Sequence, residues 1–169
     1  MRRTTGRNAV AVLTALGVMG IGATFLVLWL GTDDGAAAWA GYGMKTNTAL
    51  CLVLSSLALL LAGRGRFGAG LSGVLAAITA AMGIAVLFQY LTGINLHIDQ
   101  LIAQDFPSEE TRGYPNRMAP NTAILFVCAG LALLALPRRG GWPVTGQALA
   151  LTVLGVSILA GIGYLYQSA

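Results

Sequence analysis

The sequence predicts an all-α integral membrane protein with five transmembrane helices in a single membrane domain, residues 1–169. Only 9% of the residues are charged, against roughly 25% in soluble globular proteins. Hydrophobic residues make up 56% of the chain. Alternation of apolar and polar residues with period two is absent, which disfavours a transmembrane barrel.

Five apolar runs define the expected helices, because about 20 helical residues cross about 30 Å of hydrocarbon. The second and fourth runs hold only about 16 residues, so we expect neighbouring helices or the interface to shield their polar ends. The runs are Asn8–Leu30, Asn47–Ala62, Ala69–Leu91, Asn121–Leu136 and Val144–Tyr166.

Lysine and arginine predict the orientation of the chain. Three arginine clusters fall on one side of the five runs: Arg2, Arg3 and Arg7; Arg64 and Arg66; Arg138 and Arg139. Every acidic residue falls on the other side. We therefore expect a protein of the bacterial cytoplasmic (inner) membrane with its N-terminus inside and its C-terminus outside (N-in/C-out). The net charge of +4 is then explained by these topology signals, and we expect no binding to nucleic acid.

The first run resembles a secretory signal, with Ala38-Trp39-Ala40 as a candidate cleavage site. Its apolar stretch of about 22 residues is longer than a signal-peptide core of about 7–15 residues, and the candidate site lies well beyond its end. We therefore expect residues 1–43 to form an uncleaved anchor helix followed by an outer loop.

Two segments of the chain, residues 44–93 and 118–169, resemble each other. Met44–Leu50 aligns with Met118–Ile124, and the same offset aligns Arg64 with Arg138 and Tyr90 with Tyr164. This pattern predicts two duplicated helical hairpins of the same orientation, related by an axis along the membrane normal.

The outer ends of the predicted hairpins hold the candidate ligand-binding residues. A shared pocket would form near Asn47, Thr48, Asn121 and Thr122, with Gln89 near the outer end of the third run. The alternative is structural, because Asn and Thr at a helix start satisfy amide groups that otherwise lack partners.

The loop of residues 94–117 carries a further candidate element. Its apolar residues recur at mixed helical spacings from Leu96 to Phe106, which predicts a short amphipathic helix on the outer interface. Asp99 and Gln100 would face a ligand if this helix capped a cleft. In the structural alternative, the helix is half buried in lipid headgroups.

Two polar motifs resemble a known family. Met118–Ile124, in the pattern Met-x-Pro-Asn-Thr-Ala-Leu, and the segment Gly93–Leu101 are similar to the N-terminal membrane region of bacterial multidomain sensors. In that family the region precedes PAS, histidine-kinase or diguanylate-cyclase modules. The sequence departs from the pattern at Lys45-Thr46, where proline is expected, and at His97, which replaces a glycine. The resemblance implies a sensory input module.

Several other functions are disfavoured. The five runs contain no ionisable side chain of the kind that ion-coupled transporters use, and the chain lacks a phosphate loop, a nucleophile elbow or a Ser-His-Asp arrangement. His97 is the only histidine, so neither a metal nor a haem site is expected. We therefore predict that the protein binds no cofactor and is not an enzyme.

Small residues on two runs predict close helix packing. They are Ala76, Ala80 and Gly83 on the third run, and Gly155, Ala160 and Gly161 on the fifth.

The resemblance and the disfavoured classes leave two main functions: a sensory module, or a structural or accessory subunit of a membrane complex. The expected partners are the lipid bilayer and either a second copy of the chain or another membrane protein.

Overall fold

A computed structural model describes residues 3–31, 44–102, 116–136 and 143–167, which are helical with short connections and contain no strand. This confirms the all-α prediction for these parts of the chain. The helices are α1 (Arg3–Gly31), α2 (Thr46–Leu61), α3 (Gly65–Thr92), α4 (Pro120–Leu134) and α5 (Val144–Gln167), with a single 3₁₀ turn at Ile98–Gln100.

Among the described residues, three helices are long and apolar enough to cross a membrane, within α1, α3 and α5. The helices α2 and α4 hold 16 and 15 residues, about 24 and 22 Å at about 1.5 Å per residue. Most exposed side chains of the long helices are apolar, as in Leu13, Val74 and Leu159, which are 69%, 55% and 69% exposed. Such a surface fits a membrane protein better than one surrounded by water.

Each helix packs against the helix that follows it in the sequence. The helix α2 lies between α1 and α3 and also contacts α4, whereas α5 packs against α4. A small apolar core forms where α2, α3 and α4 meet, built from Cys51, Val86, Met118, Ala123 and Phe126. The indole N–H of Trp29 donates to the carbonyl of Met44 at 2.9 Å, which joins α1 to the start of α2.

Glycine permits the closest helix contact, between α3 and α4. A Cβ atom on Gly83 would lie 2.6 Å from the carbonyl oxygen of Ala123, and one on Gly130 would lie 2.7 Å from that of Ala76. The predicted packing role of the small residues on the third run is thus confirmed. On α5, Gly155 and Gly161 have no neighbouring atoms within 4 Å of an added Cβ, so they do not pack within the described parts of the chain.

The connection between α2 and α3 turns at Arg64, as the sequence predicts. Arg64 donates its backbone N–H to Leu61, and Gly65 follows with a positive φ of 68°. The hydroxyl of Ser72 donates to the carbonyl of Ala58 at 2.7 Å and fastens the two helices near the turn. The aligned residue Arg138 lies outside the described residues.

The amphipathic helix expected after Ile94 does not form where the chain is described. Residues 93–96 have no regular structure, and only Ile98–Gln100 form a 3₁₀ turn. His97 adopts a left-handed conformation with φ of 56°, which a continuous right-handed helix cannot accommodate. The helix prediction was therefore wrong for residues 96–102, and its remainder falls outside the described residues.

Candidate functional site

The candidate site is a buried polar cluster at the end of the bundle where α2 and α4 begin and α3 ends. Gly93 closes α3 there, with φ of 72° and a hydrogen bond from its backbone N–H to Gln89. The chain then passes over the helix ends. The polar cluster comprises Thr46, Asn47, Gln89, Asp99, Asn116 and Arg117, all of them buried.

An ion pair lies at the centre of the polar cluster. The Arg117 Nε donates to Asp99 Oδ2 at 2.7 Å, and the two side chains are only 2% and 5% exposed. Burial of both charges makes the pair sensitive to loss of either member, because the remaining charge would be desolvated without a partner. The pair joins the segment after α3 to the segment before α4.

Gln89 links this ion pair to α3. Its Nε2 donates to Asp99 Oδ2 at 3.0 Å, and its Oε1 accepts the backbone N–H of Leu96 at 2.7 Å. The same Oε1 accepts Arg117 Nη2 at 3.2 Å. The Gln89 side chain, near the end of a predicted membrane span, therefore forms hydrogen bonds with Asp99, with Arg117 and with the backbone of Leu96.

Asn47 links the ion pair to α2. Its Nδ2 donates to the carbonyl of Ile98 at 3.1 Å and lies 3.4 Å from Asp99 Oδ1. Both carboxylate oxygens of Asp99 thus have partners within the chain, on α2, on α3 and at Arg117. The polar cluster is a set of complementary donors and acceptors that satisfy each other.

The start of α2 is capped from outside the helix. The backbone N–H of Thr46 donates to Asn116 Oδ1 at 3.1 Å, and Asn116 Nδ2 in turn donates to the Thr46 hydroxyl. Asn47 instead donates its side-chain amide to Ile98 and Asp99, so the amide of Thr46 is satisfied by Asn116. Asn116 supplies the cap because its left-handed backbone, with φ of 60°, brings its side chain to the helix end.

Tyr90 joins the polar cluster to α4. Its hydroxyl donates to the carbonyl of Met118 at 3.1 Å, and the guanidinium of Arg117 lies over its ring at 5.5 Å from the centroid. A cation over an aromatic face is attracted by the ring quadrupole. Arg117 therefore contacts a carboxylate, an amide and an aromatic ring at once.

The structure brings together three of the seven predicted site residues: Asn47, Gln89 and Asp99. Gln100 and Asn121 are exposed, and Thr48 and Thr122 are half-buried outside the polar cluster. Asn121 Oδ1 accepts the backbone N–H of the next residue, Thr122, at 2.9 Å. The aligned asparagines of the two hairpins therefore have different surroundings, and a pocket shared equally by both is not seen.

Sequence reasoning missed Arg117, Asn116, Thr46 and Asn95, whose Oδ1 lies 3.5 Å from Arg117 Nη2. By sequence alone, Arg117 is an isolated basic residue at the end of the outer segment 94–117. The available signal was the placement of Asp99 and Arg117 towards opposite ends of one connecting segment in a chain with few charges. Opposite charges at both ends of a loop can meet when the loop folds back on itself.

The side chains of the polar cluster bind one another and hold the segments around Asp99 and Arg117 against the ends of the helices. Among the described residues, no group of three or more His, Cys, Asp and Glu side chains is placed to hold a metal ion. The exposed side chain of His97 stands outside the cluster on a left-handed residue. No known protein family, curated protein or solved structure matches the chain.

Proposed function

We propose that the chain is the membrane-embedded sensory input module of a bacterial signal-transduction protein and performs no catalysis itself. The carrying observation is the polar cluster, which fastens the segments around Asp99 and Arg117 to the ends of α2 and α3. A module of this kind needs a physical link between a segment outside the membrane and the membrane helices. The polar cluster is such a link.

The energetic scale of the polar cluster suits a switch. Breaking a buried ion pair by removing one partner costs about 3–5 kcal/mol, and reversing a 1:99 population takes about 5.5 kcal/mol of differential binding. A stimulus that engages Asp99 or Arg117 directly would replace part of this interaction. It would release the connecting segment from Asn47 and Gln89 and change the freedom of α2 and α3.

The membrane arrangement in this proposal has five spans in the bacterial inner membrane, with the N-terminus inside and the C-terminus outside. The starts of α2 and α4, Thr46 and Pro120, are aligned residues of the proposed repeat, which supports two hairpins of equal direction. One end of the short helix α2 is provided with a polar partner, because Asn116 of the polar cluster accepts the backbone N–H of Thr46. The sensor-like motifs point to the same function.

A graft tests the sensory role. Residues 1–169 replace the membrane region of a diguanylate cyclase, followed by one added transmembrane helix that returns the chain to the cytoplasm. Asp99→Asn and Arg117→Gln should each change the cyclic dinucleotide output several-fold relative to the unaltered graft. The matched control is Gln100→Asn, on the exposed neighbour of Asp99, which should leave the output unchanged.

Equal membrane levels and monodisperse elution in mild detergent separate altered signalling from misfolding. If folded Asp99 and Arg117 variants give the output of the unaltered graft, the polar cluster does not control signalling and the sensory proposal loses its main support.

A structural or accessory subunit is the second candidate. It is favoured by α5, where Gly155, Gly161 and Gly163 meet no neighbouring atoms in the described parts and could receive a partner helix. In that case the native protein should co-purify with a membrane complex at fixed stoichiometry, and deletion of its gene should lower the level of that complex. Gly155→Leu should weaken the association, whereas Asp99→Asn would affect only folding.

A further inference from the structure

A second feature lies in the half of the bundle away from the polar cluster. It is a groove of about 280 Å³, with α2 and α4 as its floor and α1 and α5 as its walls. The helices α2 and α4 contact each other, but α1 and α5 do not pack together over their described residues. The groove is therefore open sideways between α1 and α5, towards the surroundings of the bundle.

The lining of the groove is uncharged and mostly apolar. Ala15 and Val18 line it from α1, Leu59 from α2, Ala132 from α4, and Ala150 and Val153 from α5. Such a surface offers nothing to an ion, and a volume near the lower end of small-molecule pockets, about 300–1,000 Å³, suits a compact ligand or the end of a chain. The occupant must be uncharged and soluble in lipid.

One buried hydroxyl in the groove has no partner. Ser56 lines the groove and is only 5% exposed, yet it makes no hydrogen bond with its hydroxyl to any described residue. The adjacent Ser55 donates to the carbonyl of Leu52 at 3.2 Å. A serine in a helix commonly donates its hydroxyl to the carbonyl four residues earlier. For Ser56 this is the same Leu52 carbonyl that Ser55 uses.

A buried hydroxyl without an acceptor is costly, and a water molecule that satisfied it would need two to four polar partners. Besides Ser56, the polar side chains of the lining are Thr14 and Ser55, and Ser55 already donates within its own helix. A plain hydrocarbon tail would fill the space and leave the hydroxyl unsatisfied. An occupant with an acceptor oxygen satisfies both the apolar lining and Ser56.

We propose that this groove binds an uncharged, lipid-soluble molecule that carries a carbonyl oxygen, which enters sideways between α1 and α5 and accepts a hydrogen bond from Ser56. The proposal goes beyond the sensory role and does not depend on it. The groove and the polar cluster lie in opposite halves of the bundle, so each can be altered while the other is left intact.

Photolabelling of the full chain in phosphatidylcholine nanodiscs tests the proposal. The probe is a ten-carbon methyl ketone with a diazirine, and the comparison probe is a diazirine alkane of equal length. Ketone labelling should saturate, map to the groove walls, and fall when unlabelled 2-decanone is added. Ser56→Ala should lower ketone labelling about two- to tenfold, the effect of one hydrogen bond. Alkane labelling should not change.

The matched control is Ser55→Ala, because the Ser55 hydroxyl already has an acceptor in its own helix. Equal effects of the two serine variants would overturn the proposal. Labelling that does not saturate, or that is spread equally over the exposed face of α3 around Val74, would show that the groove holds only bulk lipid chains and would also overturn it.

A second variant keeps the proposal testable if Ser56→Ala lowers thermal stability. Ala150→Leu adds bulk to the half-buried α5 wall of the groove and leaves Ser56 in place. It should reduce labelling by both probes, and full labelling by the ketone in this variant would contradict binding in the groove.

Discussion

Asp99 and Arg117 show how a single buried charge pair organises a chain that is otherwise poor in charge. The chain has 6 acidic and 10 basic residues, and this pair is buried among the helix ends. Burial of a charge pair adds little net stability compared with apolar packing, since desolvation offsets the attraction. Its main effect is specificity, because Gln89 and Asn47 complete their hydrogen bonds only when Asp99 lies against the ends of α2 and α3.

The ion pair predicts strongly coupled substitutions. Arg117→Gln alone leaves the Asp99 carboxylate buried without its cation and should lower the free energy of unfolding by about 3–5 kcal/mol. Adding Asp99→Asn to Arg117→Gln removes the orphaned charge and should recover part of the loss. Thermal unfolding of the purified variants in mild detergent measures the coupling. Additive losses in the double variant would show that the two side chains do not act as a pair.

Asn47 and Asn121 are aligned in the sequence, but their surroundings in the structure differ, so the same substitution should have different effects at the two positions. Asn47→Leu removes the donor to Ile98 and Asp99 from a site that is 1% exposed, and should lower stability by about 1–3 kcal/mol. Asn121→Leu alters an exposed side chain and should change it by less than about 0.5 kcal/mol.

The yield of folded protein and its melting temperature measure both asparagine changes. Equal destabilisation by the two would contradict this contrast and would show that the hydrogen bond of Asn121 with the backbone N–H of Thr122 matters as much as the contacts of Asn47. Normal stability of Asn47→Leu with lost signalling would instead make Asn47 a contact to the stimulus.

At this scale the sequence predicted part of the site. Asn47 and Gln89 could be selected because polar residues near the ends of apolar runs need partners in lipid, and Asp99 because it is an acidic residue in the outer connecting segment. The roles of Arg117 and Asn116 depend on contacts with Asp99 and Thr46, which are distant in the sequence. Their charge and position gave only a weak signal, and no local pattern identifies such partners.

Among the helices, α3 and α4 are held by close backbone approach. In lipid, apolar side chains gain little by leaving their surroundings, so packing of small residues takes over the role of hydrophobic burial. Gly83 and Gly130 face backbone atoms of the opposite helix at distances that exclude any side chain. Within the described parts of the chain, α5 has no such contact at Gly155 and Gly161.

This difference predicts opposite results for the same substitution. Gly83→Ala forces a methyl group against the backbone of Ala123 and should destabilise the protein by about 1–3 kcal/mol. Gly155→Ala meets open space and should be neutral or stabilising by up to about 1 kcal/mol through helix propensity. Melting temperatures in detergent compare the two. A Gly83→Ala protein as stable as the Gly155→Ala protein would mean that α3 and α4 are not in close contact.

The existence of the five helices was predictable, because long apolar runs bounded by turn residues leave the backbone few alternatives in lipid. The connection after α3 was not predictable to the same degree. Its apolar residues suggested a helix, but Leu96 and Asp99 are instead held by Gln89, and His97 takes a left-handed conformation. Tertiary hydrogen bonds decided the structure of this segment against its local periodicity.

For the whole molecule, the membrane arrangement depends on which helices cross and in which direction. The helices α1, α3 and α5 are long enough by themselves. The helices α2 and α4 are shorter than about 30 Å of hydrocarbon, but α2 contacts α1, α3 and α4, and α4 contacts α2, α3 and α5. Neighbours of this kind shield short helices from lipid, and polar groups at the helix starts find partners in the chain.

Reporter fusions test the five-span arrangement directly. Seven arginines are predicted on the N-terminal side, and five spans reverse the chain an odd number of times, so Ala169 should lie outside the cytoplasmic membrane. Alkaline phosphatase fused after Ala169 should be active, and the same enzyme fused after Arg66 or Arg139 should be inactive. A bright fluorescent protein and an inactive phosphatase at Ala169 would contradict the arrangement and implicate α2 or α4. In the expected case, a cytoplasmic signalling domain beyond Ala169 requires one further span, because the polar cluster and Ala169 then lie on the same outer side.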